Sequence, residues 1–264
     1  MMGSIFTIAG KELRVSLTTW TSYILFGAFV LISAFFFQQL VAEFQMQTMQ
    51  LQQYQYREYL SRLNATDFII TPLLSNLTVF FIFLLPISTM RLFAEEKRAK
   101  TLQLLMTVPV RPIEIVLGKY LAALTLMLIM LGLTLLFPVI LTFYGQTPDV
   151  SPIDWQTVLS GYLGLALMGA ACVGIGLFAS SVTESQIVAV IISFAALLML
   201  YVIGMAARGQ EGYWESILLY LSMTHHLESF VRGTLRSVDL TYYASVIFLS
   251  LFLTWRVVEA ERWR

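Results

Sequence analysis

The chain has 264 residues, 58% of them hydrophobic and only 12% charged, with sixteen basic and sixteen acidic side chains in balance. A soluble domain is about 45–50% apolar and about 25% charged, so this composition excludes both a water-soluble fold and a disordered chain. The single Cys172 excludes a disulfide framework, and zero net charge argues against a nucleic-acid binder. What remains is a polytopic membrane protein, in which six spans of about 20 residues would use roughly 120 positions.

A charge at the bilayer centre costs about 2.5–3.5 kcal/mol on insertion scales, so spans should lie between consecutive charged residues. The long charge-free runs are 15–42, 68–90, 120–148, 155–183, 185–207 and 240–255. They place spans at about 20–42, 68–91, 120–144, 157–182, 186–207 and 239–258. The first apolar run exceeds the 7–15 residues of a signal-peptide core and shows no clear small-residue cleavage site, so it reads as an uncleaved signal anchor. The next longest apolar stretch, 216–227, is too short to span and reads as interfacial or re-entrant.

Lys and Arg set the orientation. With the N-terminus inside, the cytoplasmic side holds eleven basic residues: Lys11, Arg14, Arg91, Lys97, Arg98, Lys100, Arg111, Lys119, Arg256, Arg262 and Arg264. The outside holds five: Arg57, Arg62, Arg208, Arg232 and Arg236. The expectation is an all-α protein with six transmembrane helices and both termini cytoplasmic.

In chain order, the first outer segment is 43–67. It carries six glutamines between Gln45 and Gln55 and no Gly or Pro, so it should continue the first helix outward, as a solvated extension or a partner-binding stalk. The segment 94–110, between spans 2 and 3, holds the charge cluster Glu95, Glu96, Lys97 and Arg98, then Thr101. Leu102, Leu105 and Met106 follow at helical i, i+3, i+4 spacing, and Pro109 with Pro112 ends the helix. An amphipathic cytoplasmic helix along the membrane face is predicted, with its charges open to a cytosolic protein.

The fourth span is rich in small residues, with Ala166, Ala170 and Gly174 four apart, a pattern that permits close helix approach. The favoured use is packing within one subunit rather than a dimer seam. Glu184 is the sole charge between Asp154 and Arg208 and marks a tight turn capped by Thr183 or Ser185. It is also a candidate second contact for a cytosolic partner. The outer segment 208–237 should form short extracytoplasmic helices before span 6, with Tyr213, Trp214, His225 and His226 at the membrane interface. His225 and Glu228 stand i, i+3 on a helix but lack further ligands at a metal-site spacing, so no metal residues are assigned.

No span carries an ionisable residue near its middle, which disfavours a proton-coupled transporter, and no phosphate loop of the Gly-x-x-x-x-Gly-Lys-Ser/Thr form is present. The chain is therefore read as neither an ATPase nor another enzyme, with no catalytic or cofactor-binding residues.

Two blocks carry a family resemblance. Glu96, Arg98, Thr101, Leu102, Leu105, Pro109, Gly118 and Lys119 resemble the signature of type-2 ABC exporter permeases. This chain has Lys100 where the family commonly has Gly, and Gln103 where it often has Glu. Residues Gly174 to Ala189, through Ser180, Ser181, Thr183, Glu184 and Gln186, are similar to the gliding-motility-type, GldF-like branch.

The resemblance implies one permease domain over 1–264 in the bacterial cytoplasmic (inner) membrane. It further implies cytosolic ABC ATPase partners that bind ATP and Mg, and a second permease subunit, identical or related. An accessory protein with a large extracytoplasmic domain is a further implied partner. Residues Glu95–Arg98, Thr101, Leu102, Leu105, Met106, Pro109 and Glu184 would couple to the ATPase. The expected role is ATP-driven export or extrusion of a lipidic or amphipathic substrate. The alternative is a non-transporting machine that drives an extracytoplasmic partner.

Overall fold

The computed structural model describes residues 2–53, 64–102, 110–144, 153–207 and 212–261. Among these the protein is all-helical, with six helices long and apolar enough to cross a membrane. Helix α1 (Met2–Thr18) precedes the first span, α2 (Trp20–Gln53). A π-helical turn at Thr66–Ile70 leads into α3 (Thr71–Thr89), and the short α4 (Arg91–Arg98) follows it. The third span is α5 (Pro112–Thr134) with α6 (Leu136–Tyr144). Spans four and five are α7 (Trp155–Val182) and α8 (Gln186–Ala207). Two short helices, α9 (Tyr213–Leu221) and α10 (Met223–Val231), come before the last span, α11 (Ser237–Glu261).

Helix α2 continues through Gln53, as the absence of Gly and Pro predicts. Its 34 residues extend about 50 Å, well beyond a hydrocarbon core of about 30 Å. The charge-free windows understate several other helices for the same reason: the backbone stays helical after it leaves the apolar layer. The α7–α8 turn is tight, with the Ser185 N–H donating to Thr183 Oγ1 at 3.1 Å.

Span four is the core. Its most apolar stretch is 72% buried, against 11% for span one. Helix α7 packs on α11, α3, α8, α10 and α5. Its small residues allow this. A Cβ on Gly164 would lie 2.5 Å from Phe230 Cβ, and one on Gly169 would lie 2.8 Å from Met127 Sδ. A Cβ on Gly174 or Gly176 would collide with Ser250 or Thr89. The Ala170 carbonyl accepts the Tyr120 hydroxyl at 3.2 Å. The small-residue face is thus filled by neighbours from the same chain.

Where proline breaks the backbone ladder, a side chain repairs it. Pro138 has no N–H to give to the Thr134 carbonyl one turn earlier. The buried Tyr162 hydroxyl, from α7, donates to that carbonyl at 2.8 Å. An unsatisfied carbonyl in an apolar layer is costly, so this bond ties α7 to the α5–α6 junction. Tyr162→Phe should destabilise the protein by about 1–3 kcal/mol. Adding Pro138→Ala, which restores the missing N–H, should recover part of that loss. Thermal unfolding in detergent measures both.

Candidate coupling site

The charge cluster after span two is built on α4, whose start is held by another helix. The N–H groups of Phe93 and Ala94 donate to Ser180 Oγ at 3.0 and 3.1 Å, and Ser180 donates to the Met90 carbonyl at 2.7 Å. These bonds satisfy backbone groups left open where α3 gives way to α4. Gly176, one turn earlier on α7, leaves room for Thr89 beside it.

Four charges then close on one another. Lys119 Nζ, on α5, lies 2.9 Å from Glu96 Oε1 and 3.1 Å from Glu12 Oε1 of α1. Lys11 lies 3.2 Å from Glu12 and 3.6 Å from Glu96. The Lys119 side chain is 1% exposed and sits over the Phe93 ring at 5.2 Å. Two cations and two carboxylates leave the cluster neutral, which is the condition for burying it. At Lys11, burial works to lower the pKa; the carboxylates of Glu12 and then Glu96 outweigh it and hold the ammonium above its ordinary value.

The other α4 charges reach further elements. Lys97 pairs with Glu261 at the end of α11 at 2.7 Å. Gln186, at the start of α8, donates to Glu95 Oε2 at 3.4 Å. Arg91 bonds Thr21 at the start of α2. Helix α4 is therefore tied to α1, α2, α5, α7, α8 and α11. A cavity of about 590 Å³ opens beside it, lined by Lys11, Ser16, Arg91, Glu95, Thr101 and Lys119 among others.

The expected coupling residues divide into groups. Glu96 and Lys97 are consumed by internal ion pairs, and Leu102 is buried in the core. Glu95, Arg98, Thr101 and Glu184 are exposed. The Gln186–Glu95 contact brings the turn that carries Glu184 beside α4. Leu105, Met106 and Pro109 lie outside the described residues.

The amphipathic helix expected from Glu95 towards Met106 is not continuous across its described part, which ends at Leu102. Helix α4 stops at Arg98, and Lys100 takes φ 56°, a left-handed conformation, before Thr101 and Leu102 turn helical again. This is the helix stop that glycine serves best, which gives a backbone reason for the Gly usual at this place in type-2 permeases.

Glu12 and Lys11 were not among the residues expected at this site. Their signal was a carboxylate on the inward face of α1, one turn after Ile8 and Ala9. Lys119 was expected at a loop edge, whereas α5 begins at Pro112 and carries it inside the helix. At the opposite end, Glu228 bonds Arg232 one turn on, and the exposed His225 meets the His226 ring edge-on.

With this geometry in place, comparison with known families decides the class. Residues 6–258 match the ABC-2 family transporter protein family. The chain belongs to that family. ABC-2 proteins are the transmembrane components of ABC transporters and are not themselves the ATPase, with which they generally partner. The protein is accordingly a multi-pass membrane subunit of an ABC transporter. No curated protein matches the chain.

Two outcomes follow from the site. Lys119→Met, which leaves two carboxylates to one exposed lysine, should cost about 3–5 kcal/mol, and replacing Glu12 and Glu96 by apolar residues as well should recover much of it. Lys100→Gly should stabilise by about 1 kcal/mol by relieving the left-handed strain. Denaturation of the purified ABC-2 protein reads both.

Proposed function

We propose that this ABC-2 protein couples ATP hydrolysis in a separate cytosolic ATPase to export or extrusion of a lipidic or amphipathic substrate, with ATP and Mg bound by the partner. The α4 end of the bundle is the cytoplasmic end, and both termini lie there. The observation that carries this reading is the convergence on α4. A push on one short helix is passed by ion pairs and hydrogen bonds to α1, α5, α7 and α11. Exposed Glu95, Arg98, Thr101 and Glu184 form the face offered to the ATPase, followed by the segment with Leu105, Met106 and Pro109.

A second permease subunit, identical or related, completes the machine in the bacterial inner membrane, and the GldF-like resemblance supports a bacterial extrusion system. One observation favours the alternative, a mechanical drive on an outer partner. Helix α2 is about 20 Å longer than the hydrocarbon core is thick, and its Gln-rich end extends past the apolar layer.

The test is co-purification from native membranes. Charge reversal of two exposed residues, Arg98→Glu with Glu184→Lys, should lower ATPase recovery about tenfold or more at a cost in stability of about 1 kcal/mol or less, since among the described residues neither side chain makes an ion pair or hydrogen bond and Arg98 adds only its favourable charge at the end of α4. Unchanged recovery contradicts the assignment. Reconstituted vesicles then separate the two readings: ATP-dependent lipid or amphiphile movement supports transport.

A further inference from the structure

At the end of the bundle opposite α4, the imidazole of His226 lies between two hydrogen-bond acceptors. Its Nδ1 is 2.6 Å from Asp239 Oδ1, and its Nε2 is 2.9 Å from the main-chain oxygen of Tyr220. A carbonyl oxygen has no proton to give. A neutral imidazole has one N–H and satisfies only one of these acceptors. The second carboxylate oxygen of Asp239 meets the Ser229 hydroxyl, which also lies 3.1 Å from the His226 main-chain oxygen. His226 and Asp239 are both buried. The ring is clamped, with Tyr242 stacked at 4.0 Å and Tyr220 edge-on at 5.7 Å.

Among the described residues no other charged side chain bonds this pair: Glu215 of α9 is half-buried and Arg236, before α11, is exposed, and neither side chain contacts His226 or Asp239 by a hydrogen bond or ion pair. Helix α10 packs on α3, α7, α8, α9 and α11. Helices α3, α7 and α8 contain no charged residue. From α7, Cys172 lies 3.9 Å from Met223 Sδ, and the Tyr162 hydroxyl is spent on Thr134. From α11, Tyr242 and Tyr243 donate to the Leu221 and Met223 carbonyls at 2.9 and 2.8 Å. On α10 itself, His225 meets the ring at 5.9 Å, and Glu228 pairs with Arg232 on the exposed side.

We propose that His226 and Asp239 form a proton-binding site that locks α9 and α10 onto span six. The docked site holds one proton more than a neutral imidazole and a carboxylate carry between them. His226 donates through both nitrogens, to Asp239 of α11 and to the end of α9. When that proton leaves, one nitrogen faces an acceptor with nothing to donate, and the clamp on the two short helices weakens. The docked state binds the extra proton and the opened state does not, so docking is strongest when the proton is held and weakens as pH rises. The limit for one proton is about tenfold per pH unit. This goes beyond the ATPase reading and does not depend on it.

Hydrogen exchange of the full chain in lipid nanodiscs tests the proposal. Protection of amides in 213–231 is compared from about pH 6 to about pH 9, with the intrinsic pH dependence of exchange removed. The wild type should lose protection with rising pH, at most about tenfold per unit. Asp239→Asn supplies an amide N–H to Nδ1 and leaves the ring's own N–H for Tyr220, so its protection should stay flat. His225→Gln should keep the wild-type slope. Flat wild-type protection, or an equal slope in Asp239→Asn, overturns the proposal. If Asp239→Asn does not fold, nitrogen spectra of wild-type His226 decide: two ring N–H groups near neutral pH are expected, and one overturns it.

Discussion

The ammonium of Lys119, buried between Glu12 and Glu96, is the constraint around which one end of the protein is arranged. A buried charge is tolerated only while it stays compensated. Compensation here comes from two separate helices, so α1, α4 and α5 cannot part without exposing or stranding a charge. A buried apolar contact would let these helices slide with graded loss. A closed ion cluster makes the junction nearly all-or-none, which suits an element that passes force.

Span four supplies the surface on which this junction is mounted. Its glycines and alanines let α3, α10 and α11 approach closely, and Ser180 satisfies the backbone at the start of α4. Without a hydrophobic driving force between helices in lipid, close packing and backbone satisfaction are the main cohesive terms. The same logic recurs where Tyr162 repairs the gap left by Pro138. Spans one, five and six are far more exposed, which leaves their apolar faces turned outward from the bundle.

Much of the architecture can be read from residue order alone, because charges exclude themselves from the bilayer and so mark the ends of spans. The six spans, the short helices before the last one and the tight turn at Thr183–Ser185 all follow from that rule and from turn chemistry. Four features do not. Helix α1 packs chiefly on α5 and carries polar and apolar residues in near balance, so no charge-free window reveals it. The stop at Lys100 was hidden because lysine is a good helix former, and only the family's glycine at that place hints at a left-handed turn. The partnership of Lys119 with Glu12 joins positions 107 residues apart, which no local pattern encodes. His226 with Asp239 is the same kind of case: the histidine reads as an interfacial ring until packing sets it against a carboxylate thirteen residues on.

The central claim is that α1, α4 and α5 form one rigid unit that moves with the ATPase. Spin labels at exposed sites on α1 and at the C-cap of α4, Thr7→Cys and Ala99→Cys, measure it in the complex with its ATPase, with and without ATP. The account predicts a single, unchanged α1–α4 distance in both states, broadened when Lys119→Met is added. A distance that changes with ATP while Lys119 is intact would contradict it.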